Sequence, residues 1–555
     1  MIAPDPLTTA INELQARPPS ASQLSVEGRV RLCRECLNGL LEVAEEWIYA
    51  GARAKQCPGQ DSVLAEELLS GPAVVARQLQ LTMQTLRAIQ SGSNPRLPGS
   101  IQRLTNGQLT VPVFPTRGFF DSLTFSGLRG HVRLRNDVSE NEIHGRRVEI
   151  ARGETTTGIT AVLGAGNVSS IPVSDCLNRI LFDRRQVVLK MNPVNQYLFD
   201  IFRRALEPLI RANLLRIITG SADVGRQLVH HPSISDVHVT GSVATHEAIV
   251  WGDSPEERQR RKQSNAPQLT KPVTSELGNV SPWIIVPGRY SLGQLRSQAQ
   301  HLAASITNNV SFNCLSTKVI VTWKHWEQRT LFLELINRFL AETPRRPAYY
   351  PGAAARYQRF AANGVHADDS HRFPWTLLTN QSIDDRPELF REESFVCVCA
   401  ETTLDGSSPV NFLEGATEFL NDRVFGSLCA SVTFPTVFRR ERQADTERCL
   451  QNLRYGTVCV NQWSGLAYGL VSPPWGAWPG ATLANLDSGI GDVHNIYLLD
   501  HFEKTVLQGP LINFPKPVWF PNHKNALKVA KRLFALYDVP SITRLPPLFA
   551  AALLG

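Results

Sequence analysis

Between residues 158 and 275 the chain alternates short apolar strands with amphipathic helices, and no other stretch restricts the fold as strongly. The strand candidates are GITAVLG, QVVLK, LRIITG and DVHVTGS, and the intervening SDCLNRILF, YLFDIFRRALEPLIRANL and VGRQLVHH carry apolar residues at helical spacing. Parallel strands need long crossovers, which helices supply, so the alternation predicts a parallel sheet with helices on its faces. A nucleotide-binding fold is the natural candidate.

A second α/β run begins at SPWIIVPG and continues through QLRSQAQHLAASI and STKVIVTW to about residue 480, which predicts a second domain. Residues 26–92 read as helices. HVRLRND and RRVEIAR alternate polar with apolar residues and read as two exposed strands of a ribbon, with NIYLLDHFEKTVLQ as a pairing partner. The chain then ends in a Pro-rich stretch, LINFPKPVWFPNH, and a basic amphipathic helix, NALKVAKRLFALY. Composition narrows the class further: 43% apolar and 19% charged residues are an ordinary globular balance and exclude disorder. A net charge of +7 over 555 residues is too dilute for a nucleic-acid footprint. No apolar run reaches the roughly 18 residues of a membrane span, and the N-terminus has no leader-like pattern. Ten scattered cysteines fit a reducing compartment, so a cytoplasmic protein without a membrane segment is expected. Cys33 and Cys36 form a CxxC with no second pair at zinc spacing, so no metal site is expected.

Several short strings then occur in one order: GAGN ending at Asn167, VVLK ending at Lys190, VTGS at 239–242, ELGN from Glu276, NVSFNC ending at Cys314, EESF at 392–395, LNDRVFG at 420–426 and LRYGTVCVN ending at Asn461. In these motifs the chain resembles the aldehyde dehydrogenase superfamily as a divergent member. The resemblance implies an α/β fold with a Rossmann-like cofactor domain (1–130 and 156–275), a catalytic α/β domain (276–480), a bridging oligomerisation ribbon (131–155 and 495–508) and a C-terminal extension (509–555). It also implies NADP or NAD as cofactor, a small-molecule aldehyde as substrate, and a homodimer or homotetramer.

Residue by residue, the resemblance makes Cys314 the nucleophile, because aldehyde oxidation through an acyl-enzyme needs a thiolate that adds to the carbonyl. Glu276 becomes the base that activates water against the thioester. Asn167 becomes a side-chain donor to the oxyanion, beside the Cys314 N–H. Lys190 falls at the adenosine ribose, Gly220, Gly225, Gly241 and Ser242 in turns beside the dinucleotide, and Glu393 and Phe395 at the nicotinamide end. Each residue also has a plain reading, as buried thiol, strand-end charge or loop glycine.

The departures from the family pattern are as informative as the matches. Ser311, Phe312 and Asn313 stand where the family usually has Gly and Gln just before the cysteine, and Phe312 would narrow the pocket or alter the substrate preference. Gly166 stands where an aromatic usually precedes the asparagine, and His246 where a glycine usually follows the second turn, which would reshape the pyrophosphate approach. Val396-Cys397 replaces Gly-Pro, and Pro193 replaces the glutamate common in NAD-preferring members. These departures keep two other readings open: a catalytically silent structural or binding subunit, and an acyl-CoA or acyl-phosphate reductase that forms aldehyde.

Overall fold

The computed structural model describes residues 5–153, 158–361 and 371–555. The alternation in 158–275 forms a sheet in the order Gly489–Ile490, Val273–Glu276, Ile234–Thr240, Ile159–Leu163, Gln186–Lys190, Leu215–Ile218. All neighbours are parallel except the antiparallel edge pair at Gly489–Ile490. Strand order reverses beside Ile159–Leu163, so a crevice opens at the carboxyl ends of the strands. Lys190, Thr240 and Glu276 are the last residues of their strands and stand at that crevice. Glu276 ends the last parallel strand of this sheet.

The second run forms a ten-stranded sheet, ordered Gln102–Arg103, Leu109–Phe114, Arg129–Leu134, Phe502–Gln508, Thr457–Val460, Cys429–Thr433, Pro282–Ile285, Val319–Trp323, Val398–Leu404, Thr376–Leu378. From Phe502–Gln508 onward its pairs are parallel, and the three earlier strands are antiparallel. Three N-terminal helices, Val26–Ala54, Asp61–Ser70 and Pro72–Gln90, pack beside both sheets.

Two expectations fail here. RRVEIAR is not a strand but the helix Arg146–Arg152, in which Val148 and Ala151, three residues apart, are the buried pair. Seven residues with two core positions fit either period, so alternation alone could not decide. The ribbon is also not free. Arg129–Leu134 pairs with Phe502–Gln508, and that strand pairs in parallel with Thr457–Val460 of the chain's own catalytic sheet. The open edges that motivated an oligomer are filled within one chain, and the sheet ends on strands of two and three residues, short edges that resist further pairing.

This pairing makes a prediction. If it is intramolecular, hydrogen-exchange protection of the Thr505, Val506 and Leu507 amides will not change on hundredfold dilution of the protein. Loss of protection on dilution would mean that the strand pairs across copies.

Candidate active site

The loop after the helix Leu292–Thr307 delivers Cys314 through an unusual backbone. Asn309, Val310 and Ser311 have φ of 49°, 56° and 63°, three consecutive left-handed residues of which one is β-branched. Such conformations cost about 1–3 kcal/mol each and persist only where the surroundings impose them. Here the imposition is visible. The Asn309 amide donates to the Asn167 carbonyl (3.0 Å) and the Phe312 carbonyl (3.0 Å), while its oxygen accepts from Lys55 (2.7 Å) and the Tyr349 hydroxyl (2.9 Å). Its backbone N–H donates to Glu66 (3.0 Å). Lys55 is paired in turn with buried Glu67, and Glu66 with Arg346 at 2.9 Å. The N-terminal helices thus hold the cysteine loop against the asparagine loop.

Cys314 Sγ points at Glu276 Oε1, 3.9 Å away. Asn167, Glu276, Cys314 and Ile171 border two cavities at once, one of about 730 Å³ and one of about 250 Å³. The Cys314 N–H has no hydrogen-bond partner among the described residues, nor has the Asn167 side-chain amide. Both donors remain available at the junction. Burial raises the Glu276 carboxyl to about 8, with the Asp175 carboxylate adding to it. The Cys314 thiol is pushed well up by burial, then by Glu276 and Glu393.

Asp175 is a residue that motif reading missed. It lies on the helix Ile171–Leu181, accepts from Thr240 Oγ1 at 2.9 Å and faces His238 Nε2 at 3.5 Å. Thr240 is the register partner of Glu276 on the neighbouring strand, and His238 that of Thr274. Arg179, one helical turn beyond Asp175, donates to Thr274 Oγ1 at 2.6 Å and pairs with Asp183 at 2.7 Å. A polar stripe therefore runs under the helix from Asp183 to Thr240, beside Glu276. Its only sequence signal was a buried-looking Asp in an otherwise apolar helix face.

The larger cavity collects most of the cofactor candidates. Lys190, Gly225, Gly241, Ser242, Glu393 and Phe395 line it, with Pro193 and Arg226. Lys190 is 6% exposed, has no ion-pair partner among the described residues, and is lowered by burial. Ser242 caps the nine-residue helix Val243–Trp251, accepting from the Thr245 N–H at 3.1 Å, so that the helix N-terminus opens into the cavity. Glu393 lies 3.9 Å from Lys318, and its Oε1 is buried without a hydrogen-bond partner. Gly220 is not brought to the cavity. It has φ +134°, and a Cβ there would meet Val224 at 2.7 Å, so it serves the turn.

Three departures prove to be repacking rather than intrusion. Phe312 is fully buried and lines neither cavity; its ring packs on Tyr349, Tyr350 and Phe395 at 5.1, 5.6 and 5.8 Å, so it does not narrow the pocket. His246 is fully buried, is lowered to about 4 by burial, and lies outside the cavity, where Ala244, Thr245 and Ala248 form the helix face. A Cβ at Gly166 would meet the Asn192 side chain at 2.6 Å, so Asn192 occupies the space that an aromatic at 166 would need. Val396 and Cys397 are core residues. Cys33 and Cys36 are buried in the first long helix, and no cluster of three metal-ligating side chains occurs among the described residues.

A family model described as the aldehyde dehydrogenase family matches residues 185–348, a segment that includes Lys190, Glu276 and Cys314. Betaine aldehyde dehydrogenase 2 of Rhizobium meliloti is 25% identical over 62% of this chain and 67% of its own length, and 4-trimethylaminobutyraldehyde dehydrogenase A of Danio rerio is 27% identical over 34% and 32%. The solved structure of an indole-3-acetaldehyde dehydrogenase complexed with NAD+ superposes with TM-score 0.59 at 16% identity over 91% of this chain and 88% of that one. An NAD-dependent aldehyde dehydrogenase from Sinorhizobium meliloti gives TM-score 0.58 at 16% identity over 92% and 87%. The fold is the aldehyde dehydrogenase fold. Residues 185–348 thus match the aldehyde dehydrogenase family, and the described chain shares the fold of its solved members. No helix among the described residues is long and apolar enough to cross a membrane.

The clamp is testable. Asn309→Ala leaves the Lys55–Glu67 pair and the 3.4 Å bond from the Tyr349 hydroxyl to the Asn167 carbonyl but takes the donor from the Phe312 carbonyl, and a buried group left unpaired costs about 1–3 kcal/mol. The variant should unfold at lower urea concentration and turn over at least tenfold more slowly; an unchanged midpoint and rate would remove the clamp from the account.

Proposed function

We propose that the chain oxidises an aldehyde to a carboxylate, with NADP or NAD as hydride acceptor, through a covalent intermediate on Cys314. The observation that carries this reading is the position of the thiol: 3.9 Å from a buried carboxylate and at the junction of two cavities. The larger cavity fits a dinucleotide in size and in chemistry, with an unpaired ammonium at Lys190, a helix N-terminus at Ser242 and an unpartnered carboxylate oxygen at Glu393. When bound there, the nicotinamide supplies the acceptor for hydride.

The chain's own residues do the rest. Glu276 takes the thiol proton, and the Cys314 sulfur adds to the aldehyde carbon. The resulting oxyanion receives hydrogen bonds from the Asn167 amide and the Cys314 N–H, donors aimed where charge develops. Loss of hydride to the acceptor that a bound nicotinamide would supply would leave a thioester on Cys314, and Glu276 gives up the thiol proton to solvent. Glu276, again as carboxylate, takes a proton from water, and hydroxide attacks the thioester. The acid leaves, sulfur recovers its electron pair, and the sum is aldehyde, water and NAD(P)+ to acid, NAD(P)H and protons. The presence of Glu276 beside the sulfur favours hydrolysis over transfer to coenzyme A. Phe312, His246, Val396 and Cys397 are buried side chains that line neither cavity, which supports an active enzyme over a silent relative.

Cys314→Ala should abolish reduced-cofactor formation with every aldehyde while nucleotide binding, followed by fluorescence, stays within about twofold. Turnover in that variant would refute the mechanism. Because base catalysis needs the Glu276 carboxylate and its carboxyl titrates near 8, hydrolysis of the thioester should speed up as pH rises toward 8 and level off above it. Glu276→Gln should be slow and flat across that range; a wild-type profile already level from pH 6 would exclude Glu276 as the base.

Pro193 borders the larger cavity and brings no carboxylate to repel a 2′-phosphate, whereas Lys190 brings a positive charge with no ion-pair partner among the described residues; Arg226 is paired with Asp253 on the same lining. NADP should be accepted at least as well as NAD, and Pro193→Glu should move the preference toward NAD. More than tenfold selectivity of the wild type for NAD in kcat/KM would contradict this.

A further inference from the structure

The smaller cavity reaches Cys314 from the side opposite the cofactor, and its outer wall comes from the C-terminal segment after the last sheet strand. Val518, Trp519, Phe520, Leu533 and Tyr537 line it, facing Val74 of the N-terminal helices and Trp375 and Trp463 of the catalytic domain. This wall is fastened rather than laid loosely on the surface. The Phe520 ring packs on buried His301 at 4.8 Å, the Tyr537 ring on Phe119 at 5.2 Å, and Gln80 donates to the Asp538 carbonyl at 2.7 Å.

We infer that the segment 518–537 makes this cavity a binding site for the tail of the aldehyde and selects uncharged, apolar tails of moderate size. The inference rests on the proposed aldehyde oxidation and narrows it to a substrate class. Charge decides the first half. Besides Glu276, the charged side chains on the lining are Glu66 and Arg346, and they are spent on each other. Arg346 donates to both Glu66 oxygens at 2.9 and 3.0 Å, and the carboxylate also accepts from the Asn309 N–H at 3.0 Å and Asn308 Nδ2 at 3.2 Å. A charged tail would be desolvated with no free counter-charge, which costs far more than an apolar tail gains. Volume decides the second half. At the roughly 30 Å³ that a water-sized group occupies in a liquid, about 250 Å³ holds about eight such groups, an aryl ring with a short linker or a medium alkyl chain.

Trp519 is the side chain on which to test this, because its indole N–H has no hydrogen-bond partner and truncation breaks none. Each buried methylene is worth roughly tenfold in kcat/KM, so hexanal and benzaldehyde should exceed acetaldehyde by at least tenfold in the wild type. Trp519→Ala should lower the hexanal-to-acetaldehyde ratio at least fivefold, and Trp519→Phe should restore most of it. A second readout needs no turnover: hexanamide should protect Cys314 from iodoacetamide at a concentration at least tenfold below that of acetamide, and Trp519→Ala should erase the difference. If the wild type oxidises acetaldehyde as well as hexanal, or if the ratio is the same in Trp519→Ala, the tail site is overturned while the oxidation stands. If no aldehyde is oxidised yet hexanamide still protects selectively, the tail site stands and the proposed oxidation falls.

Discussion

The Asn309 side chain is the point on which the site depends. One amide satisfies four partners on separate parts of the chain: Lys55, Tyr349, and the carbonyls of Asn167 and Phe312. A buried ammonium such as Lys55 is tolerable only when paired and hydrogen-bonded, so Glu67 and Asn309 are together a condition for folding this region. The same bonds hold the left-handed turn that carries Cys314 and set the Asn167 loop beside it. Stability of the N-terminal layer and geometry of the catalytic loop are therefore one problem, solved by one set of contacts.

Electrostatics behind the site run in the opposite direction, toward instability. Glu276 is buried beside a second carboxylate, Asp175, and a thiol, and both Glu276 and Cys314 are shifted toward their protonated forms. Thr240 donates to Asp175, and His238 lies 3.5 Å from it. A carboxyl titrating near neutrality is suited to taking and releasing protons at working pH, which one in the usual range could not do. The destabilisation is local, and the surrounding cores and the clamp offset it.

Much of the architecture was legible because it is periodic. The strands Ile159–Leu163, Gln186–Lys190, Leu215–Ile218 and Ile234–Thr240 and the helices between them match the apolar runs closely. What periodicity could not deliver were partners. Arg129–Leu134 was readable as a strand, but its insertion beside Phe502–Gln508 in the same chain's sheet depends on contacts hundreds of residues apart. Arg146–Arg152 was too short for its period to show.

The site was legible where motifs name an atom and illegible where geometry decides direction. Cys314, Glu276, Asn167 and Lys190 do converge on the cavities, yet Phe312 and His246, which looked like obstructions in sequence, point into packed interior. Gly166 looked like an isolated loss until Asn192 was seen filling its space. Asp175 and the C-terminal wall carried no motif, because one acts through a neighbour on the next strand and the other through an apolar surface that any amphipathic helix presents. The central claim is the covalent intermediate, and mass spectrometry addresses it most directly. Wild-type protein mixed with hexanal and NADP, quenched in acid within the first turnover and digested, should carry a hexanoyl group on the peptide containing Cys314 and on no other cysteine peptide. An unmodified Cys314 in protein that has formed a stoichiometric amount of NADPH would contradict the account.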